Sequence, residues 1–293
     1  MQTTIKFTKV SGAGNDFVLI DDLGGALHLN KADLSRALCS RHFGVGADGL
    51  IVIERSDTAD FSMDYYNADG SHGGMCGNGG RCAARYAFLN RIAGPTMSFE
   101  ALGHVYHAEM TNTQVKLQMK DVSLPGEELK FVVGGELFVG HFIDTGSPHV
   151  VVIRDDLEAL DVSAIGRRIR NEPRLLPEGA NVNFVQAAGK NKIINRTYER
   201  GVETETLACG TGAVASAIVA TMKLGLTPPI SVSVRSGEEL IVHFGTSDRA
   251  ITDVYLHGSS HILFHGSLIY DDISGKIEHS ELKSTPVYSG RTK

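Results

Sequence analysis

MCGNGGR, residues 75–81, is the most informative segment of the sequence, because it recurs as ACGTGA at residues 208–213. In each copy a cysteine, Cys76 or Cys209, precedes Gly-x-Gly and a run of small residues that suits a helix. The cysteines are separated by 209 minus 76, or 133, positions. The recurrence predicts two related halves of roughly 130 residues each, an ordinary domain size.

Other stretches match at the same offset of 133 positions. They are GAD 46–48 with GAN 179–181, Tyr65 with Tyr198, and FVLI 17–20 with VVVI 150–153. Glycine-rich turns recur in many proteins, and this chain has 33 glycines. Four matches at one offset nevertheless favour an internal repeat.

Composition and charge exclude several classes of protein. The net charge of −6 and the absence of a Lys/Arg cluster argue against a nucleic-acid partner. No stretch is long and apolar enough to span a bilayer, and the first ten residues lack the apolar core of a signal peptide. We therefore expect a cytoplasmic protein whose four cysteines are thiols. Cys76 and Cys82 are the only close cysteine pair, with no second pair to complete a zinc site, so no metal is expected.

Hydrophobic periodicity predicts an α+β fold. The helices after Cys76 and Cys209 are rich in alanine and offer little polar face. We expect each to lie buried within a curled, mostly antiparallel sheet. The patterns indicate strands at 5–10, 115–119, 230–234, 240–244 and 251–256, and helices at 31–39, 80–90, 159–170 and 212–223.

The boundary between the halves is predicted where Ser, Pro and Gly at residues 123–126 interrupt two strand-like stretches. This gives a first half at residues 1–122 and a second half at residues 123–266. Residues 280–293 contain few apolar side chains and are predicted to be a loosely held tail.

A cysteine at the start of a helix has a specific chemical use. The helix N-terminus presents N–H donors and a partial positive charge, which lower a thiol pKa from about 8.5 and can bind a carboxylate. Two such ends acting on one substrate suit proton removal from one face of a carbon and delivery to the other. No dinucleotide fingerprint, phosphate loop or Schiff-base lysine is evident, so we predict chemistry without an organic cofactor.

Several residues have simpler interpretations on their own. Cys39 and Cys82 lie in helical patterns and are predicted to be small buried side chains. His149 follows a turn, residues 199–200 form a Glu-Arg pair after a strand, and NADGS at 67–71 is typical of a β-turn.

Taken together, the motifs resemble the diaminopimelate epimerase family, through most of the chain and in the family's order. NADGS 67–71 is followed after four residues by CGNGGR 76–81. The remaining motifs are GAGNDF 12–17, RHFGVGADG 41–49, GSPH 146–149, GANVNF 179–184, YERG 198–201 and ACGTG 208–212.

The resemblance implies a PLP-independent epimerase that interconverts LL- and meso-2,6-diaminopimelate in lysine and cell-wall precursor synthesis. Cys209 would accept the α-proton of the LL isomer and Cys76 would donate one to the opposite face, with His149 and Glu199 assisting their proton states. The implied substrate-binding residues are Asn15, Asn67, Gly77, Asn78, Asn181, Glu199, Arg200, Gly210 and Thr211.

The implied fold has two pseudo-symmetric domains, each a curled sheet around a central helix, with residues 267–279 returning to the first. A small-molecule substrate is expected, and a homodimer is compatible with the family. Ser147 and Gly49 depart from the pattern of some members, which leaves direct substrate contacts there open, whereas Thr211 keeps the hydroxyl of the usual serine.

Three alternatives stay open at this point. A proline racemase or hydroxyproline epimerase would share the fold and the cysteine pair, but Asn78 stands where that group tends to have His. A phenazine-biosynthesis-type isomerase would lack the cysteine pair. From a different class, the cysteines could form a regulatory disulfide in a ligand-binding protein without turnover.

Overall fold

The computed structural model describes residues 2–126, 128–247, 250–278 and 285–286. Their contacts define two compact units, one within Met1–Val115 and Ser259–Lys293 and the other within Lys116–Gly258. Compactness does not identify the halves of a repeat, so the boundary predicted between residues 122 and 123 stays a prediction. The predicted tail at 280–293 lies outside the described residues, except for 285–286. None of the helices in the described ranges combines the length and apolar character needed to cross a membrane.

Strands make up most of the regular structure in the described part of the chain. They are β1 (Gln2–Gly12), β2 (Asn15–Asp21), β3 (Gly49–Glu54), β4 (Phe61–Asn67), β5 (Thr96–Ala101), β6 (His104–Thr111), β7 (Gln114–Gln118), β8 (Val122–Ser123), β9 (Glu128–Val133), β10 (Glu136–Asp144), β11 (Pro148–Ile153), β12 (Asn181–Gly189), β13 (Lys192–Glu199), β14 (Thr204–Thr206), β15 (Ile230–Ser233), β16 (Glu239–Thr246), β17 (Ala250–Ser259), β18 (His261–Asp271), β19 (Lys276–Glu278) and β20 (Thr285–Pro286).

The helices fall close to the predicted positions. They are α1 (Lys31–Cys39), α2 (Gly77–Leu89), α3 (Val162–Arg170) and α4 (Gly210–Leu224), with a short 3₁₀ turn at Pro173–Leu175. The predicted starts of α2 and α4, residues 80 and 212, are too late, because the cysteines themselves are the N-caps and each Gly-x-Gly is already helical. The predicted start of α3, residue 159, is too early, because the Asp161 side chain accepts a hydrogen bond from the Ala164 N–H and caps the helix there.

The unit that carries Cys76 is built mainly from antiparallel pairs. β1 lies between β2 and β18, and β3 pairs with β4, all antiparallel. β2 pairs in parallel with β3. One core cluster includes Phe7, Val18 and Leu50 from the strands and Leu34 and Leu38 from α1. α2 packs against β1, β2, β6 and β18, with almost its whole length buried.

The unit that carries Cys209 has the same character. β9, β10 and β11 form an antiparallel series, as do β15, β16 and β17, and β12 is antiparallel to β13. β11–β12 and β13–β15 are parallel. α4 contacts β11, β12 and β13 and buries Val214 and Ile218 completely. The α+β prediction, with a buried helix in a mostly antiparallel sheet of each unit, is confirmed.

The strand register of the two units repeats at an offset of 132 positions. Val18 on β2 pairs with Leu50 on β3, and Ile51 on β3 pairs with Tyr65 on β4. Adding 132 to each position gives the pairs Val150–Val182 and Asn183–Thr197, which are both present in the second unit. The strands are therefore offset by one position fewer than the two cysteines, and their equal register supports the internal repeat.

Candidate active site

Cys76 is the N-cap of α2. Its sulfur accepts a hydrogen bond from the Gly79 N–H at 3.4 Å, as a capping side chain should. Gly12 lets β1 approach this turn, because a Cβ there would lie 3.0 Å from the Asn78 carbonyl oxygen and 3.2 Å from the Cys82 sulfur. Two glycines therefore surround the thiol at the helix N-terminus. Gly79 on α2 donates its N–H to the sulfur, and Gly12 on β1 lets the strand approach the turn.

Asn15 determines the direction of a second hydrogen bond at Cys76. The Asn15 amide nitrogen donates to the Asp48 carboxylate at 2.6 Å, and a carboxylate can only accept. The Asn15 Oδ1 therefore points away from Asp48, and it accepts from the Cys76 thiol at 3.7 Å and from Asn78 Nδ2 at 3.5 Å. This geometry suits Cys76 in its protonated form.

Charged side chains surround the Asp48 carboxylate that orients Asn15. Arg41 bonds both Asp48, at 2.6 Å, and Asp16, at 2.9 Å, and Lys9 lies 2.6 Å from Asp16. Burial opposes ionisation of Asp16, but the hydrogen bonds and charges of Arg41 and Lys9 outweigh it and lower the pKa of its carboxyl group. The Asp16 carboxylate is therefore ionised near neutral pH.

Arg81, on the second turn of α2, is completely buried. Its guanidinium donates to the Gly77 carbonyl oxygen at 3.1 Å and to Asn78 Oδ1 at 2.9 Å. It thus fixes the Asn78 amide and places a positive charge inside the first turns of the helix. The position 133 residues later is Val214, which is apolar.

Cys209 is the N-cap of α4, but its sulfur makes no capping hydrogen bond. The Thr211 hydroxyl lies 3.5 Å from the sulfur. The same hydroxyl is 3.0 Å from His149 Nε2, and His149 Nδ1 is 2.8 Å from Asn183 Nδ2. A line of polar contacts therefore runs from Cys209 into the interior of its unit.

His149 is fully buried in the middle of this line, between Thr211 and Asn183. Burial disfavours the imidazolium and the positive charge of Arg200 adds to the effect, so the pKa of His149 falls from 6.5 to about 3. The ring is neutral at physiological pH. One nitrogen must then be a donor and the other an acceptor.

A second group of predicted residues surrounds Asn181. Its amide nitrogen donates to the Ser147 hydroxyl at 3.0 Å and to the Pro148 carbonyl oxygen at 3.2 Å, and its oxygen accepts from the Arg200 N–H at 2.9 Å. The Arg200 guanidinium reaches the Glu178 carbonyl oxygen at 3.3 Å. Glu199 is half-buried at the end of β13.

Asn67 and Gly49 have structural contacts of their own. The Asn67 side chain accepts from the Tyr65 hydroxyl at 3.0 Å and donates to the Ser71 hydroxyl at 2.9 Å. The Gly70 N–H donates to the Asn67 carbonyl oxygen at 2.9 Å, which closes the expected turn. A Cβ on Gly49 would lie 2.5 Å from the Tyr65 ring, so packing requires glycine there.

Cys39 and Cys82 are buried, as predicted. Burial raises the pKa of the Cys39 thiol to about 11, despite a contact with the Ser35 hydroxyl at 3.7 Å. Cys39 is therefore a protonated core side chain.

The structure joins the predicted residues into three clusters within the units. Asn15, Gly77 and Asn78 gather at Cys76, Gly210, Thr211 and His149 gather at Cys209, and Arg200 joins Asn181. Sequence reasoning missed Asp48, Arg81, Asn183 and Thr197 as contributors. Asn183 has one visible signal, which is a polar side chain between the apolar Val182 and Phe184.

The fold is that of a class of two-unit α+β proteins. A solved structure of hydroxyproline epimerase from Agrobacterium vitis matches with a TM-score of 0.71, 14% identity, and coverage of 93% of this chain and 94% of that one. A phenazine biosynthesis protein of the PhzF family from Bacillus anthracis matches with a TM-score of 0.68, 14% identity, and coverage of 90% and 99%. At this identity the likeness concerns the fold alone.

Sequence comparison identifies the family within this class. The diaminopimelate epimerase family model matches residues 7–125 and 141–256. A diaminopimelate epimerase from Aquifex aeolicus (strain VF5) is 45% identical over 276 residues, which cover 90% of this chain and 98% of the relative. One from Chlorobaculum tepidum is 43% identical over 264 residues, which cover 88% and 99%. The chain belongs to the diaminopimelate epimerase family, as its motifs predict.

Proposed function

We propose that this protein interconverts LL- and meso-2,6-diaminopimelate by a two-base reaction that uses no organic cofactor. Cys209 accepts the α-proton of the LL isomer, and Cys76 donates a proton to the opposite face of the same carbon. The observation that carries the proposal is that both cysteines are N-caps of buried helices in a chain of this family.

The two helix ends supply what such a reaction needs. Removing a proton next to a carboxylate increases negative charge on that carboxylate in the transition state. N–H groups in the first turn of a helix have no backbone partner within the helix. They can stabilise this charge by donating hydrogen bonds without reorganising. We assign Gly77, Asn78, Gly210 and Thr211 to the carboxylate of the reacting centre. Each N–H donor in comparable sites contributes roughly 3 kcal/mol.

The remaining predicted residues complete the proposal. His149 and Glu199 assist the proton states of the thiols, and Asn15, Asn67, Asn181 and Arg200 bind polar groups of the substrate. The partner is a small molecule and not a nucleic acid, and the location is the cytoplasm. Size-exclusion chromatography with light scattering tests for a homodimer.

The decisive experiment is stereochemical. Pure LL-diaminopimelate is incubated with the protein in D₂O without added cofactor, and the isomers are separated by chiral chromatography. We expect the meso isomer to appear with deuterium at the inverted carbon. Recovery of only LL substrate from a correctly folded protein would contradict the proposal.

The same assay distinguishes diaminopimelate epimerisation from hydroxyproline epimerisation. With trans-4-hydroxy-L-proline in place of diaminopimelate we expect no epimer, because Asn78 and the NADGS turn belong to the diaminopimelate pattern. Turnover of hydroxyproline together with no turnover of diaminopimelate would favour the alternative.

A further inference from the structure

A buried polar line extends behind His149, beyond the residues assigned to catalysis or substrate binding above. Asn183 is fully buried on β12, and Thr197 and Asn195 on β13 are each 2% exposed. Thr197 Oγ1 donates to Asn183 Oδ1 at 2.8 Å, and Asn195 Nδ2 donates to Thr197 Oγ1 at 3.3 Å. Ser216, on α4, donates to Asn195 Oδ1 at 3.2 Å. Polar groups buried in a core are costly unless they are satisfied, so this arrangement has a purpose beyond packing.

The hydrogen bonds in the line run in one direction. Thr197 receives a hydrogen bond from Asn195, so its own hydrogen goes to the oxygen of Asn183. The amide nitrogen of Asn183 then faces Nδ1 of His149 at 2.8 Å and donates to it. Each hydrogen bond therefore determines whether the next group acts as a donor or as an acceptor.

This direction fixes the tautomer of His149. A neutral ring that accepts at Nδ1 carries its hydrogen on Nε2, which lies 3.0 Å from the Thr211 hydroxyl. Thr211 Oγ1 accepts that hydrogen and presents its own hydrogen to the Cys209 sulfur at 3.5 Å. The line therefore ends as a hydrogen-bond donor to sulfur.

We propose that Asn183, oriented by Thr197, is a positioning residue that holds His149 as the Nε2–H tautomer, so that the Thr211 hydroxyl donates to Cys209 and stabilises its thiolate. The inference rests on the proposed function, for which it explains why Cys209 is the proton acceptor. Neither Asn183 nor Thr197 contacts substrate in this proposal.

Gly212 supplies independent support, because it leaves room for Asn183. A Cβ on Gly212 would lie 2.4 Å from Asn183 Oδ1. Gly79, its counterpart 133 residues earlier, has Ile51 as its nearest neighbour, at 3.3 Å. In the strand register the counterparts of Asn183 and Asn195 are Ile51 and Met63, and the counterpart of Ser216 on the helix is Ala83, all of which are buried and apolar. The polar line is thus specific to the unit that carries Cys209.

The test measures Cys209 without turnover. In a Cys76→Ser background, the rate of iodoacetamide alkylation at Cys209 is followed against pH by peptide mass spectrometry. Asn183→Leu and Thr197→Val should each shift the midpoint of this profile upward by about one pH unit, a tenfold loss of thiolate below the midpoint. Thr197→Ser keeps the hydroxyl and is the matched control, with a midpoint within a few tenths of a unit of the parent. Unchanged midpoints in the folded Leu and Val variants would overturn the proposal.

A second measurement needs no substitution. Two-bond ¹H–¹⁵N correlation spectra of the imidazoles should show His149 as the Nε2–H tautomer at pH 7. An Nδ1–H tautomer would refute the proposal, even if the variants fail to fold. Both readouts are independent of epimerisation, so a negative LL-to-meso assay would reject the proposed function and leave these measurements meaningful.

Discussion

The first turns of α2 and α4 share a cysteine N-cap and a Gly-x-Gly, yet the sulfurs have different surroundings. At Cys76 the Gly79 N–H caps the sulfur, and the thiol donates to an Asn15 oxygen that Asp48 holds in place. At Cys209 the sulfur has no capping bond and faces a hydroxyl. Two copies of one helix end can thus acquire different hydrogen-bonding surroundings from their neighbours, as the proposed roles of the two cysteines require.

The interiors behind the two turns differ in the same sense. α2 buries the guanidinium of Arg81 and faces the apolar Ile51 at Gly79, whereas α4 buries Val214 and contacts a polar line through Ser216. One unit places a charged guanidinium behind its helix end, and the other places neutral hydrogen-bonding groups there.

Removing one sulfur at a time should have the largest effect. Cys76→Ser and Cys209→Ser should each lower LL-to-meso conversion by about 10²–10⁴-fold, the usual contribution of an acid/base group. Each variant should still exchange the α-proton of one isomer, because exchange without inversion needs only the remaining cysteine. In D₂O, Cys76→Ser should label LL substrate without inversion, and Cys209→Ser should label the meso isomer without forming LL. NMR of the recovered isomers measures this, and equal labelling of both isomers by either variant would erase the proposed difference.

Acid should destabilise the protein through His149. Its pKa is 6.5 in an unfolded chain and about 3 in the native one, so the unfolded state binds the extra proton across this interval. The contribution of the neutral His149 ring to the free energy of unfolding is complete above pH 6.5. It decreases by roughly 1.4 kcal/mol for each pH unit below that value. Urea unfolding at pH 7 and pH 5 measures the loss, which should shrink in His149→Gln and persist in the exposed control His104→Gln. A His149→Gln variant as acid-sensitive as the parent would be inconsistent with a neutral buried ring.

The glycine pair gives a smaller but closely matched comparison. Alanine is favoured over glycine inside a helix by about 1 kcal/mol, so Gly79→Ala should change the free energy of unfolding by less than about 1 kcal/mol. Gly212→Ala should destabilise by roughly 1–3 kcal/mol, because the new methyl group displaces Asn183. Urea titration of the two variants decides between this difference and a common response.

Much of the architecture follows from local pattern. Asn30 predicts the start of α1 because asparagine is a favoured N-cap. In the structure its side chain accepts a hydrogen bond from the Asp33 N–H at 3.1 Å. The repeated cysteine motif predicts α2 and α4. The sequence pattern predicts later starts than Gly77 and Gly210, because glycine has a poor helix propensity, which capping and burial override here.

The supporting residues could not be predicted in the same way. Arginine is almost always exposed, so nothing marks Arg81 as buried until α2 is packed against its sheet. Asn183 and Thr197 gain their meaning from β12 pairing with β13, where they are direct partners. Their role depends on contacts between strands, which periodicity along one strand does not contain.

The matching register of β2–β3 and β11–β12 has an evolutionary consequence. A duplicated gene segment delivers two equal scaffolds, and afterwards each copy accumulates substitutions without disturbing the other. Ile51 and Asn183 occupy equivalent places in these scaffolds, so the history of the family should contain ancestors in which both places held the same amino acid.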